Sequence, residues 1–301
     1  YSKIFRELES SVAQEFPKYF TIESIGKEQW YLYFFQKINI DDCNIYRKGD
    51  NFIIGVGAYL YNKKIGGDAL EFIYNDLQND AQIFKKIVGH FNFLTFINNE
   101  FKIITDKSGH YFSYNIQEKK ETSYTTSLTL AASYLEQKKY NEQEILEFVN
   151  VASTFGGNTI FRNIKHNKAG SILDLHNNTL ESYFNIEIKN TKFKGFISSV
   201  QEYFKNFNNV NKKIGADLSG GFDTRTIAAA LLNAKVDFDF LTNNRPKSVS
   251  KDKEVAIQIA KKVGKQIHVI PLEETYNNQH IDNQNIINRL EAARGIDILK
   301  R

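Results

Sequence analysis

Apolar positions recur along this chain in two rhythms, one of helices and one of strands. Residues 1–20 carry Ile4, Phe5, Leu8, Val12 and Phe16 at helical spacing, closed by Pro17. Residues 30–40 (WYLYFFQKINI) and 52–60 (FIIGVGAYL) are dense in aromatic and β-branched side chains, the signature of strands. Residues 67–88 read as helical. Strands at 90–97 and 101–105 then flank the polar turn Asn98-Asn99, and a third at 110–116 completes an expected antiparallel meander. Helical patterns return at 122–140 and 142–152, short alternating segments fill 158–188, and an amphipathic helix is expected over 190–210, with Phe193, Phe196, Ile197, Val200, Phe204 and Phe207.

After Asn211 the rhythm changes. Strands are expected at 213–218, 236–242 and 266–271, with a glycine loop at 219–223 and helices at 224–233 and 252–263. Alternation of this kind predicts a doubly wound parallel sheet. The chain therefore reads as two domains, an antiparallel α+β part over residues 1–190 and an α/β part over 191–301, with no internal repeat.

Composition narrows the classes without choosing among them. Hydrophobic residues make up 42% and charged residues 25% of 301 positions, enough for a sizeable core. The 39 basic and 35 acidic residues leave a net charge of +4, and the basic ones are scattered rather than clustered, so a nucleic-acid partner is not indicated. No apolar run approaches the ~20 residues of a membrane span. The first stretch, with Lys3, Arg6, Glu7 and Glu9, is unlike a signal peptide. The single cysteine, Cys43, can form neither an intrachain disulfide nor a metal cluster, which fits a reducing cytoplasm. The histidines, His90 and His110 among them, show no metal-ligand spacing, and the 24 Phe and 16 Tyr are more simply core than a base-stacking platform.

The candidate chemistry lies in Leu218-Ser219-Gly220-Gly221-Phe222-Asp223-Thr224. Two adjacent glycines alone would make only a tight turn. Here an apolar strand runs into Ser-Gly-Gly and then into a helix of small residues, which is the construction of an anion site. Glycines let backbone N–H groups approach an oxyanion without a Cβ in the way. The helix start adds donors and the positive end of its dipole. Ser219 and Thr224 bring hydroxyls, and Asp223 beside a phosphate implies an intervening Mg²⁺. The string matches neither the Walker loop nor the dinucleotide fingerprint.

It resembles the Ser-Gly-Gly-x-Asp-Ser/Thr loop of the ATP-pyrophosphatase (PP-loop) superfamily. Leu218 and the following Arg-x-Ile-Ala-Ala-Ala are most like the asparagine synthetases. That resemblance implies ATP and Mg²⁺ as ligands. Leu218, Ser219, Gly220, Gly221, Asp223 and Thr224 would hold ATP and its pyrophosphate, and Asp223 the metal. Leu241 and Thr242 fall where the family's second strand contacts adenine through its backbone. The stretch from Asp252 to Gly264 resembles the helix after that strand, and on its own reads as an amphipathic helix with an aspartate cap. The implied reaction is ATP-dependent amide-bond formation from a small-molecule or peptide carboxylate and an amine, through an acyl-adenylate. The resemblance allows a homodimer and assigns no catalytic residue.

In that family the front domain is a glutaminase of the N-terminal-nucleophile (Ntn) type. Residues 89–93, 105–114, 159–164 and 169–170 are similar to its later strands and to the passage between the domains. Glutaminase chemistry needs an N-terminal cysteine whose own amine is the base. Residue 1 is Tyr and Cys43 is internal, so the expectation is a glutaminase-like domain without that activity. The family's second, acidic loop has no counterpart before Arg301, so the back domain is expected to be incomplete. The alternative is a non-catalytic ATP- or AMP-binding relative with a regulatory or scaffolding role. A PP-loop enzyme acting on tRNA ranks third.

Overall fold

The computed structural model describes residues 20–27, 30–37, 44–118, 121–185, 193–244, 251–270 and 296–300. The expected helix over 1–20, Tyr1 and Cys43 lie outside these residues. Contacts divide the chain into two compact units. One comprises Tyr1–Tyr61, Gly66–Ile186 and Ile281–Arg301, the other Asn62–Ile65 and Glu187–His280.

The first unit contains β1 (Phe20–Lys27), β2 (Trp30–Lys37), β3 (Ile45–Lys48), β4 (Asn51–Tyr61), helix α1 (Gly67–Leu77), β5 (Val88–Ile97) and β6 (Glu100–Thr105). It continues with β7 (Tyr114–Glu118), β8 (Glu121–Thr125), α2 (Leu128–Ser133), α3 (Glu142–Val151), β9 (Ile164–His166), β10 (Ser171–Asp174) and β11 (Thr179–Ser182). The second unit holds α4 (Phe193–Lys205), β12 (Gly215–Asp217), α5 (Phe222–Asn233), β13 (Asp239–Asn243), α6 (Asp252–Val263) and β14 (Ile267–Ile270). Strand β15 (Ile296–Lys300) returns to the first unit.

Two antiparallel sheets build the first unit. One runs β1-β2-β15-β8-β7-β9 and the other β11-β10-β6-β5-β4-β3. Their facing sides share a core: Leu32 and Phe34 of β2 and Tyr124 of β8 meet Phe52, Ile54, Leu94, Phe96, Phe101 and Ile103 of the second sheet. Alternate residues of the same strands, Ile53, Phe91, Phe93 and Ile104, point the other way onto Ala69, Leu70, Ile73 and Tyr74 of α1. The period of two along a strand is what lets one sheet feed two cores. Side chains such as Leu70 and Ile73, fully buried, each contribute about 1.5–3 kcal/mol. On the outer side of the first sheet, Tyr114, Ile116 and Ile164 pack on Ala131 and Ala132. The layer order is therefore helix, sheet, sheet, helix.

Three expectations for this unit change. The strand after β6 does not complete a meander: β7 joins the other sheet, pairing with β8 and β9, and β10 takes the place beside β6. Residues 122–140 are not one helix. Thr122, Tyr124 and Thr125 belong to β8, and α2 begins only after Ser127, whose hydroxyl accepts from the Leu130 N–H. Residues 296–300 pair with β2 and β8, so the back domain does not run unbroken to 301.

In the second unit β12, β13 and β14 are parallel neighbours in that order. A glycine in the left-handed conformation, Gly264 at φ 68°, ends α6, whose first turn carries Asp252 and Glu254 and whose last carries Lys261 and Lys262, as the helix dipole favours. Right-handed crossovers between strands laid down in sequence order put both connecting helices on one face. Ala228 and Leu231 of α5 and Ala256 and Ala260 of α6 accordingly enter the same core, with Ala216 and Phe240 of the sheet. Among the described residues the strand order never reverses, so the doubly wound arrangement expected from the sequence is not what these three strands form.

Candidate functional site

The loop of residues 218–224 joins the carboxyl end of β12 to the start of α5. Leu218 anchors it: its side chain is in the core and its N–H donates to the Leu241 carbonyl at 2.8 Å. Beyond it the backbone turns through Ser219, Gly220 and Gly221, all partly or largely exposed. Ser219 and Thr224 are drawn together, their hydroxyl oxygens 3.0 Å apart. The Ser219 N–H donates to Thr224 Oγ1 at 3.1 Å, and the Gly221 N–H to Ser219 Oγ at 3.1 Å. Gly221 stands at the N-cap of α5 and offers no side-chain cap, and the first turn of any helix has N–H groups without intrahelical acceptors. Amides from Phe222 onward therefore face the same opening.

One contact was not legible in the sequence. The Gly220 N–H donates to Asp252 Oδ1 at 3.0 Å. Asp252 is not the helix cap expected of it: Lys251 holds the N-cap position of α6, and Asp252 is the first helical residue with its carboxylate turned to the loop. A Cβ on residue 220 would lie 2.8 Å from that oxygen, so any larger residue here would push the Asp252 carboxylate aside. Arg225 also bonds the loop. Its Nε donates to the Gly221 carbonyl at 3.1 Å, which fixes a guanidinium on the loop. No local spacing announces the Asp252 contact, since Asp252 is 32 residues from Gly220.

Leu241 and Thr242 sit in the central strand, the first with its carbonyl bonded to the Leu218 N–H and the second buried and in register with Val269. The end of that strand is tied to α6, as Lys253 Nζ donates to Asn244 Oδ1 at 2.7 Å. Asp223 is exposed in the first turn of α5. Loop, strand end and helix start thus meet at the carboxyl edge of a parallel sheet, where such sheets take ligands. The opposite edge is different in kind. There Asp239 accepts from Lys213 Nζ at 2.6 Å and from His268 Nε2 at 2.9 Å. These partners hold its carboxyl below the ordinary range, and they form a surface ion cluster remote from the loop.

The residues present fit an oxyanion: two hydroxyls, a glycine turn and a helix start. They fit a metal less fully. Among the described residues no group of three or more His, Cys, Asp or Glu is arranged to hold an ion. Mg²⁺ characteristically uses one or two carboxylates together with phosphate oxygens and water, which Asp223 could serve. No described helix is long and apolar enough to cross a membrane.

No family model matches this chain, and no curated protein matches it. Among solved structures it is weakly similar to a glutamine phosphoribosylpyrophosphate amidotransferase from B. subtilis complexed with ADP and GMP. Identity is 8%, covering 83% of this chain and 71% of that one, with a TM-score of 0.25. A second is an allosteric regulatory enzyme of purine biosynthesis, at 9% identity over 82% and 69% of the two chains and a TM-score of 0.26. At such scores the likeness carries no argument about activity.

Proposed function

We propose that this protein is an ATP-dependent, amide-bond-forming ligase of the asparagine synthetase kind, with a PP-loop back domain and an Ntn-hydrolase-like front domain. The observation that carries the reading is the Ser219–Thr224 loop between a parallel strand and a helix start, with the two hydroxyls 3.0 Å apart beside the exposed glycine turn. The helix–sheet–sheet–helix layering of the front unit supports its second half.

In this reading Ser219, Gly220, Gly221 and Thr224 hold the pyrophosphate portion of ATP, and Asp223 holds Mg²⁺. The metal supplies charge neutralisation on the leaving pyrophosphate. The substrate carboxylate oxygen attacks the α-phosphorus as the bond to the bridging oxygen breaks, and pyrophosphate leaves with that electron pair. An amine then attacks the acyl carbon, AMP departs, and the amine loses a proton to solvent or a base. The loop's part is to orient the phosphates and stabilise charge as it builds. ATP–pyrophosphate exchange with a panel of carboxylic acids tests the reading; no exchange with any acid, despite nucleotide binding, would leave only the binding function.

The second reading is a non-catalytic ATP or AMP binder that uses the same loop. The Ser219, Gly220 and Gly221 amides are each bonded within the protein, so in either reading a phosphate must displace their present acceptors. The front domain is proposed to lack glutaminase activity. Glutamate release from glutamine that disappears in Cys43→Ala would overturn this.

A further inference from the structure

The first unit contains a cavity of about 430 Å³ that the proposed chemistry does not use. It lies between the turn after β6 and the loop that follows α3. Its size falls within the range of small-molecule sites, roughly 300–1,000 Å³. None of the eighteen residues around it is Asp, Glu, Lys or Arg. Five of the eighteen carry rings, and His166 lies against Phe112 and Tyr114, with ring centroids 5.0 and 4.9 Å away. Phe112 and Phe148 are about half exposed, so part of each ring is open to contact.

The polar groups of the wall are held still. The His166 N–H donates to the Gly157 carbonyl at 2.8 Å, and the Asn167 N–H to the Ser113 carbonyl at 2.9 Å. Asn167 Nδ2 donates to Ser113 Oγ at 2.9 Å, and Thr159 Oγ1 to the Ile164 carbonyl at 2.8 Å. One atom is the exception. Nδ1 of His166 is enclosed and has no hydrogen-bond partner, a state that usually marks a missing companion. Burial pushes this imidazole's pKa down, so the ring is neutral near pH 7 and one of its nitrogens is an acceptor.

We propose that this cavity binds an uncharged, planar aromatic molecule bearing a hydrogen-bond donor, stacked among Phe112, Tyr114 and Phe148 and paired with the imidazole of His166. The uncharged wall rejects ions, because a charge buried there would lack a counter-charge. The rings supply stacking area. The unpaired nitrogen selects for a donor, and a ring turn about the Cβ–Cγ bond brings it to the ligand.

Calorimetric titration of the full chain with indole, benzofuran and indole-3-carboxylate tests this. Indole carries the N–H donor, benzofuran is its shape without one, and the carboxylate adds a charge. Indole should bind. Benzofuran should bind about tenfold more weakly, the cost of one buried unpaired group, and the carboxylate at least as weakly again. Phe112→Asp and Phe148→Asp, both at half-exposed positions and checked for folding by circular dichroism, should each weaken indole about tenfold or more. His166→Phe should bring indole and benzofuran to equal affinity. Three results would overturn the proposal: no heat with millimolar indole, equal affinity for indole-3-carboxylate, or unchanged indole binding in both aspartate variants. The two aspartate variants keep the test decisive if His166→Phe does not fold.

Discussion

Two glycine-bearing loops in this protein have an amide held by a carboxylate, and they do it in opposite ways. In the first unit Asp106 sits inside its own loop, fully buried. It accepts from the N–H groups of Phe91, Ser108, His110 and Tyr111 at 3.3, 2.8, 3.4 and 3.0 Å, and from the Ser108 hydroxyl at 2.7 Å. Gly109, at φ 66°, makes the turn possible. In the second unit Asp252 arrives from another element, only half buried, to meet the Gly220 N–H. A local, buried carboxylate is part of the turn. A distant one at a solvent-facing opening occupies an amide that a stronger anion could take. The first loop's acceptor is part of its own turn, whereas the second loop's comes from a helix 32 residues away.

The largest expected effect follows from the buried loop. Asp106→Ala should destabilise the protein by about 3–4 kcal/mol in urea unfolding, since it leaves several enclosed N–H groups without an acceptor. Asp252→Ala should cost under about 1 kcal/mol. Similar losses in both would erase the distinction.

Acid adds a second axis. Burial opposes ionisation of Asp106, but bonds from Tyr111, Ser108 and Gly109 outweigh it and hold its carboxyl below the ordinary range. The folded pKa is depressed, so this contribution is complete above the unfolded pKa of about 4 and fades as pH falls through the folded value. Stability of Asp106→Asn should therefore fall less steeply with acid than wild type below about pH 4. Parallel curves would mean the cage does not favour the charged form.

Smaller effects belong to the open loop. Asp223→Ala should weaken Mg²⁺-dependent ATP binding by about 1.5–3 kcal/mol, by analogy with charge-assisted bonds; equal calorimetric affinity would reduce the loop to a turn. Asp252→Asn keeps an acceptor near Gly220 but removes its charge, so ATP·Mg²⁺ should bind tighter, by about 1 kcal/mol or less. Weaker binding would instead make Asp252 a partner of the metal.

Much of the site could be read from the chain because it is local. Leu218, Ser219 and Thr224 are within six residues, and strand, glycine turn and helix follow from side-chain size and period alone. The parallel neighbours β12, β13 and β14 also follow from the alternation of strand and helix patterns. The helix expected over 122–140 failed because β-branched and hydroxyl residues there could serve either period, and pairing with β7 chose the strand.

By itself, then, the sequence determined the Ser-Gly-Gly turn, its hydroxyls, and the helix that begins behind it. Only the tertiary structure decided that β7 leaves its expected neighbours for the other sheet, that Asp252 reaches Gly220, and that His166 lies against Phe112 and Tyr114. The physical reason is separation along the chain. Period and propensity act over a few residues, whereas these contacts join segments tens of residues apart. Their closure costs entropy that only the assembled core offsets, and nothing in the local pattern records which of many distant partners that core will select.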